Sequence, residues 1–344
     1  MKTLTRTLNV ARALVAAARS RRGATPHQVV WRSGPARLRA YRPERASPRA
    51  TPLLLVTPII NRFRVVDLEP QTSLVGGLLA RGVPVYVVDW GAPARIDARL
   101  DLEGYVLRLL PAAARAARAD AGGEGALDVL GYCLGGTLAT LFAATQPERV
   151  RRLVTLCAPV RFSCDAPHMD LLRRWVAPDA FPVEELTRAL GNMPGALIHQ
   201  GFLWQRPVAS ALKPLRAWRR CDDAAFARSY ALLEAWTLDG VDLPGAAYRT
   251  LIQALYRDDA LFRGRLALGE RAVDLGRIRC PVLVVTAEGD TTCPPAAARA
   301  LLDRVGTPPE GRAELSLPGG HVAAVVGRRA PRTLHGPLAD WLLA

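Results

Sequence analysis

Along the 344 residues, short apolar runs alternate with longer segments whose apolar positions recur at helical spacing. Leu53-Leu54-Leu55-Val56 reads as a buried strand ending at Thr57-Pro58, and Gln71 to Ala80 as a short amphipathic helix stopped near Gly82. Val83 to Val88 is a second strand that leads to Asp89-Trp90-Gly91. Leu100 to Ala119 is a long Ala/Leu/Arg helix closed by Gly122-Gly123. Ala126 to Leu130 is a third strand, followed by a helix from about Leu134 to Thr145. Val150 to Leu156, Pro281 to Thr286 and Ala313 to Leu317 complete a set of six. Strands separated by single helices imply right-handed crossovers, hence an α/β fold with a mostly parallel sheet and helices on both faces.

The stretch 163–272 breaks this rhythm with helical patterning, several prolines and Trp175, Trp204, Trp218 and Trp236. It reads as a helical cap inserted into a core formed by 49–162 and 273–344, its aromatic residues serving mainly as core packing. Residues 1–48 read as a basic helical segment. Leu4, Leu8, Val10, Leu14 and Val15 there would share one side of an amphipathic helix, able to lie on a surface or to dock on the body.

Charge changes the picture little. There are 46 Lys+Arg against 31 Asp+Glu, a net charge of +15, but only Lys2 and Lys213 are lysines and the arginines are scattered. No nucleic-acid motif accompanies them, so no nucleic-acid partner is expected. The six cysteines form no CxxC pair and have no histidine at ligand spacing, which argues against a disulfide scaffold or a metal site and fits a reducing cytoplasm. Residues 129–147 carry no charge, yet Gly131, Gly135, Gly136 and Pro147 make a strand, a turn and a buried helix the better reading than a membrane span. At the N-terminus Arg12 interrupts any secretory apolar run.

The sharpest chemical feature is Gly131-Tyr132-Cys133-Leu134-Gly135-Gly136 between a strand and an apolar helix. This is a nucleophile elbow with Cys in place of Ser: small flanking residues let strand and helix pack closely while the turn lifts the side chain clear. The helix N-terminus favours a thiolate there, and the Leu134 N–H faces a developing oxyanion. A thiol nucleophile needs a base and a group that orients it. Asp290 stands at the loop tip after the fifth strand, with Glu288 as the second choice, and His321 follows Gly319-Gly320 just past the last strand. His27, His168, His199 and His335 lie in less suitable segments.

These residues resemble the polyhydroxyalkanoate synthases, specifically the short catalytic subunit of the class III, two-subunit type. Pro58-Ile59-Ile60-Asn61-Arg62, Tyr86-Val87-Val88-Asp89-Trp90-Gly91, Leu255-Tyr256, Val273-Asp274-Leu275, Asp290 through Pro294-Pro295, and Gly319-Gly320-His321 carry the likeness, from about residue 50 to 327. The resemblance implies an α/β-hydrolase fold and polymerisation of (R)-3-hydroxyacyl units from their coenzyme A thioesters through an acyl-Cys133 intermediate. His321 is then the base, Asp290 assists the attacking 3-hydroxyl, and the amides of Leu134 and of the loop at Ile60 form the oxyanion hole. It implies no cofactor, because coenzyme A arrives as substrate. It also implies a growing polyester as ligand, a homodimer, a second non-catalytic subunit, and work at the surface of polyester granules. Thr291-Thr292-Cys293 after the aspartate and Asp258 after Leu255-Tyr256 depart from the family pattern. Two other outcomes stay open at this level. One is a hydrolase that passes the acyl group to water; the other is a non-catalytic, granule-associated relative.

Overall fold

The computed structural model of the chain describes residues 2–19, 23–164, 166–204 and 207–344. Strands β1 (Gln28–Ser33), β2 (Ala36–Tyr41), β3 (Leu53–Val56), β4 (Val85–Asp89), β5 (Leu127–Tyr132), β6 (Val150–Leu156), β7 (Val282–Ala287) and β8 (Arg312–Leu317) form one sheet. Their order is β1-β2-β4-β3-β5-β6-β7-β8; β1–β2 and β2–β4 pair antiparallel and the rest parallel. The fold is that of the α/β hydrolases.

The central strands are apolar on both sides because both sides are covered. Successive residues of β3 alternate between two cores: Leu54 and Val56 join the one packed against α3 (Leu110–Asp120) and α4 (Leu134–Thr145). Leu53 and Leu55 join the other, under α2 (Leu74–Leu79), α12 (Ala323–Val326) and α13 (Gly336–Leu343). The six expected strands are present within one or two residues. The helix expected from Gln71 starts only at Leu74, where the Ser73 hydroxyl accepts the Gly76 N–H at 2.8 Å and caps it. The long helix expected from Leu100 begins as a π-helical turn, Gly104–Leu109, that runs into α3, with Pro111, which carries no N–H, at the join.

The segment 1–48 is not wholly helical. Only α1 (Lys2–Arg19) is; β1 and β2 form a hairpin about Gly34, whose φ is +54°, and extend the sheet at its edge. Helix α1 docks on the cap with Ala13 and Val10 against Cys221 and Ala227, while Leu4, Leu8, Leu14 and Val15 are exposed.

The cap between β6 and β7 holds α5 (Pro167–Trp175), α6 (Val183–Leu190), α7 (Gly195–Trp204), α8 (Pro207–Trp218), α9 (Ala224–Leu238) and α10 (Gly245–Thr250); α11 (Pro295–Arg299) follows β7. Of its four tryptophans only Trp236 is fully buried, and Trp204 is 67% exposed, so the expectation of aromatic core packing holds for part of the set. Residues 129–147 are β5, the turn and α4 in the middle of the core, and no helix among the described residues is long and apolar enough to cross a membrane.

Candidate active site

The strand order reverses at β3, which lies between β4 and β5, and the crevice at the carboxyl ends of these strands is where open α/β sheets bind ligands. Cys133 follows β5 directly and Ile60 stands on the loop after β3. Cys133 has φ +55° and ψ −131°, a conformation costing about 1–3 kcal/mol that the surroundings must over-determine. They do so by proximity. A Cβ on Gly131 would come within 2.3 Å of the Gly136 Cα, and one on Gly135 within 2.2 Å of the Val56 carbonyl oxygen. The elbow therefore closes only with glycine at these positions, and α4 starts at Leu134 directly against the end of β3. As the first residue of α4, Leu134 has an N–H without an intrahelical acceptor.

The register of the last two strands brings the other groups together. Ala287 pairs with Leu317; the Glu288 N–H then donates to the Leu317 carbonyl at 2.9 Å, and the Gly289 N–H to the Gly319 carbonyl at 2.8 Å. Asp290 and His321 leave these stitched loops facing each other, with His321 Nδ1 2.6 Å from Asp290 Oδ2. The other carboxylate oxygen accepts the N–H groups of Thr292 and Cys293 at 2.9 and 2.8 Å. Asp290 is buried and bonded to His321, whereas Glu288, the second choice, is exposed. The departure Thr291-Thr292-Cys293 forms the turn that holds the carboxylate. Asp258 is exposed; its neighbour Asp259, buried, accepts the Phe162 N–H at 2.7 Å.

With Nδ1 committed to Asp290, Nε2 is the nitrogen left for Cys133, which lines the same pocket. Burial alone would lower the imidazole; negative charge on Cys133 and the hydrogen bond to Asp290 overcome it and push His321 up from 6.5 to about 10. Tyr132 fixes the ring from below: its own ring stacks on His321 at 5.3 Å between centroids, and its hydroxyl donates to the His321 carbonyl at 3.3 Å. Burial, followed by the charges of Cys133 and Cys157, raises the Tyr132 phenol and keeps it neutral.

Cys157 Sγ, an Asp290 oxygen and a His321 nitrogen lie within 4.8 Å of one another, a donor set that invites comparison with a metal site. Burial, then Asp290, pushes the Cys157 thiol up, so it holds its proton rather than offering a thiolate.

The pocket over Cys133 has a volume of about 270 Å³ and takes its walls from Ile60, Asn61, His199, Lys213, Trp236 and Thr292 among others. Ile60, Ile198 and Phe202 separate it from an almost entirely apolar cavity of about 440 Å³ under the cap, lined by Leu134, Trp175, Phe181, Met193 and Tyr248. The sequence reading did not place Tyr132, His199 or Lys213 in the site. Lys213 had left one signal, as one of two lysines in an arginine-rich chain. Its ammonium pairs with Glu234. Of the other histidines, His27 bonds the Thr25 carbonyl, and His335 is buried beneath α2 and lowered by burial to about 4. The ring of His168 lies outside the described residues.

Comparison with known proteins points one way. A family model for the alpha/beta hydrolase fold matches residues 67–327, and one for the N-terminus of poly-beta-hydroxybutyrate polymerase (PhaC) matches residues 19–77. The chain is 32% identical to the poly(3-hydroxyalkanoate) polymerase subunit PhaC of Allochromatium vinosum over 93% of its own length and 89% of that protein's. It is also 32% identical to the PhaC subunit of Haloferax mediterranei, covering 93% of this chain and 64% of the relative, which is longer. Among solved structures, a monoacylglycerol lipase of Paleococcus ferrophilus superposes with a TM-score of 0.52 over 88% of this chain and 98% of the lipase, at 15% identity, a likeness of fold alone.

Proposed function

The chain belongs to the poly(3-hydroxyalkanoate) polymerase family, and from that premise we propose that it polymerises (R)-3-hydroxyacyl units from coenzyme A thioesters through an acyl-Cys133 intermediate. The observation that carries the mechanism is the line Cys133–His321–Asp290, with its sulfur open to a pocket that abuts an apolar cavity.

The Cys133 thiolate attacks the thioester carbonyl carbon, the Leu134 N–H and the amide at Ile60 receive the developing oxyanion, and the C–S bond to coenzyme A breaks. His321, in its charged form, gives its Nε2 proton to the departing coenzyme A thiolate. The neutral ring then takes the proton of an incoming 3-hydroxyl, whose oxygen attacks the acyl-Cys133 carbonyl and releases the sulfur again as thiolate. General-base help of this kind contributes about 10²–10⁴ in rate. Both Asp290 oxygens are occupied, by the imidazole and by two backbone amides, so Asp290 works by orienting and charging His321 rather than by touching the hydroxyl. The apolar cavity under the cap suits the acyl chain and the polyester ester backbone. All of these steps use side chains of this chain and the arriving thioester, with no bound cofactor. The relatives are named as subunits, in keeping with a second, non-catalytic chain; a homodimer working in the cytoplasm at a polyester granule is part of the same proposal.

The test is direct. Purified protein given (R)-3-hydroxybutyryl-CoA should release coenzyme A and form polyester, and Cys133→Ala should abolish both. Free 3-hydroxybutyrate as the product would make the protein a thioesterase, and normal turnover by the variant would remove the acyl-cysteine step.

A further inference from the structure

A cavity of about 730 Å³ lies on the far side of the wall of the catalytic pocket, and its lining is charged. Arg37 and Arg39 enter it from β2, Arg62 and Arg64 from the loop after β3, with Asp89 and Asp239 between them. Arg39 donates to Asp89 at 3.0 and 2.7 Å, and Arg62 and Arg64 share the single carboxylate of Asp239. Arg37, half-buried, has no ion-pair partner among the described residues. Four guanidinium groups and two carboxylates line the cavity. Like charges gathered in a concave, partly desolvated site cost free energy until an anion joins them, and guanidinium groups fixed by their neighbours suit phosphate oxygens.

Its position limits what that anion is. Asn61 faces the pocket over Cys133 and the next residue, Arg62, faces the charged cavity. Trp236, Thr237 and Gly240 line the first, while Leu238 and Asp239 line the second. These two segments are tied together where the Trp236 indole donates to the Arg62 carbonyl at 2.9 Å. A ligand with a reactive thioester at one end and phosphates at the other spans such a pair of sites.

We propose that this arginine cavity binds the phosphate-bearing end of the acyl-CoA substrate, with Arg37 as the guanidinium left free for it. The assignment rests on the thioester reading of the catalytic pocket. It also gives the hairpin β1–β2 a role, since that hairpin delivers Arg37 and Arg39. Specificity is read as a ratio: kcat/KM for 3-hydroxybutyryl-CoA divided by that for the 3-hydroxybutyryl thioester of N-acetylcysteamine, which has no phosphate. Arg37→Gln should lower the ratio about tenfold, through KM of the CoA thioester. A ratio that stays put overturns the proposal. Coenzyme A binding to Cys133→Ala protein, measured by calorimetry with and without Arg37→Gln, separates the two readings. Binding weakened about tenfold by Arg37→Gln, while protein with Cys133 intact makes no polymer, keeps the site and removes the polymerase. Polymer formation with coenzyme A binding indifferent to Arg37 keeps the polymerase and removes the site.

Discussion

The proton on His321 is the quantity on which the proposed acyl transfer turns, and Cys133→Ala removes its largest support. In the intact site, burial works against the charged ring, and the negative sulfur followed by the Asp290 hydrogen bond overcomes it, taking the midpoint from 6.5 to about 10. At pH 7.5 a ring with the ordinary midpoint is protonated in about one molecule in ten, whereas a ring with a midpoint near 10 is protonated in nearly all. That difference decides whether a proton is waiting for the departing coenzyme A thiolate. The sign follows from the causes: a raised imidazole keeps its proton through neutral pH and loses it only as pH climbs through about 10. Single-turnover release of coenzyme A should therefore hold its rate to the alkaline side and decline near pH 10. Replacing Cys133 by Ala leaves burial opposed by Asp290 alone, so the ring midpoint should fall by at least about one pH unit, equivalent to ~1.4 kcal/mol. Proton NMR of the imidazole Cε1–H of His321, assigned by His321→Gln, reads this without turnover. Equal midpoints in both proteins would show that the sulfur does not charge the ring.

Two further outcomes test the frame around that pair. Asp290→Asn keeps the shape but removes the charge behind the imidazole, so first-acyl uptake and later elongation should fall together by about 10²–10⁴, read by single-turnover and steady-state assays. Loss of elongation alone would mean that Asp290 touches the hydroxyl after all. Gly136→Ala places a Cβ 2.3 Å from that of Ala158 and 2.7 Å from the Gly131 carbonyl oxygen. It should cost about 1–3 kcal/mol in urea unfolding and slow acylation as the elbow opens; wild-type stability would mean the turn is less tightly closed than its geometry requires.

What the sequence disclosed and what it hid divide along a physical line. The buried parallel strands announce themselves because both faces demand apolar residues, and the elbow does so because its glycines answer clashes within a few residues of one another. The hairpin β1–β2 escaped because it is an edge pair: residues such as Arg32, Arg37 and Arg39 alternate with apolar ones on a half-exposed face, and an arginine-rich coil looks the same in one dimension. The exposure of Leu4, Leu8, Leu14 and Val15 was hidden for a related reason, since α1 packs through its alanines, whose small size lets it approach α9 closely. The meeting of Asp290 with His321 was legible because order along the chain follows strand order, and the parallel register of β7 with β8 converts two loop positions 31 residues apart into one hydrogen bond. His199 and Lys213 obey no such rule. They reach the pocket only through the way the cap folds back over the sheet, so contact among distant segments, and not local pattern, decides who lines the site.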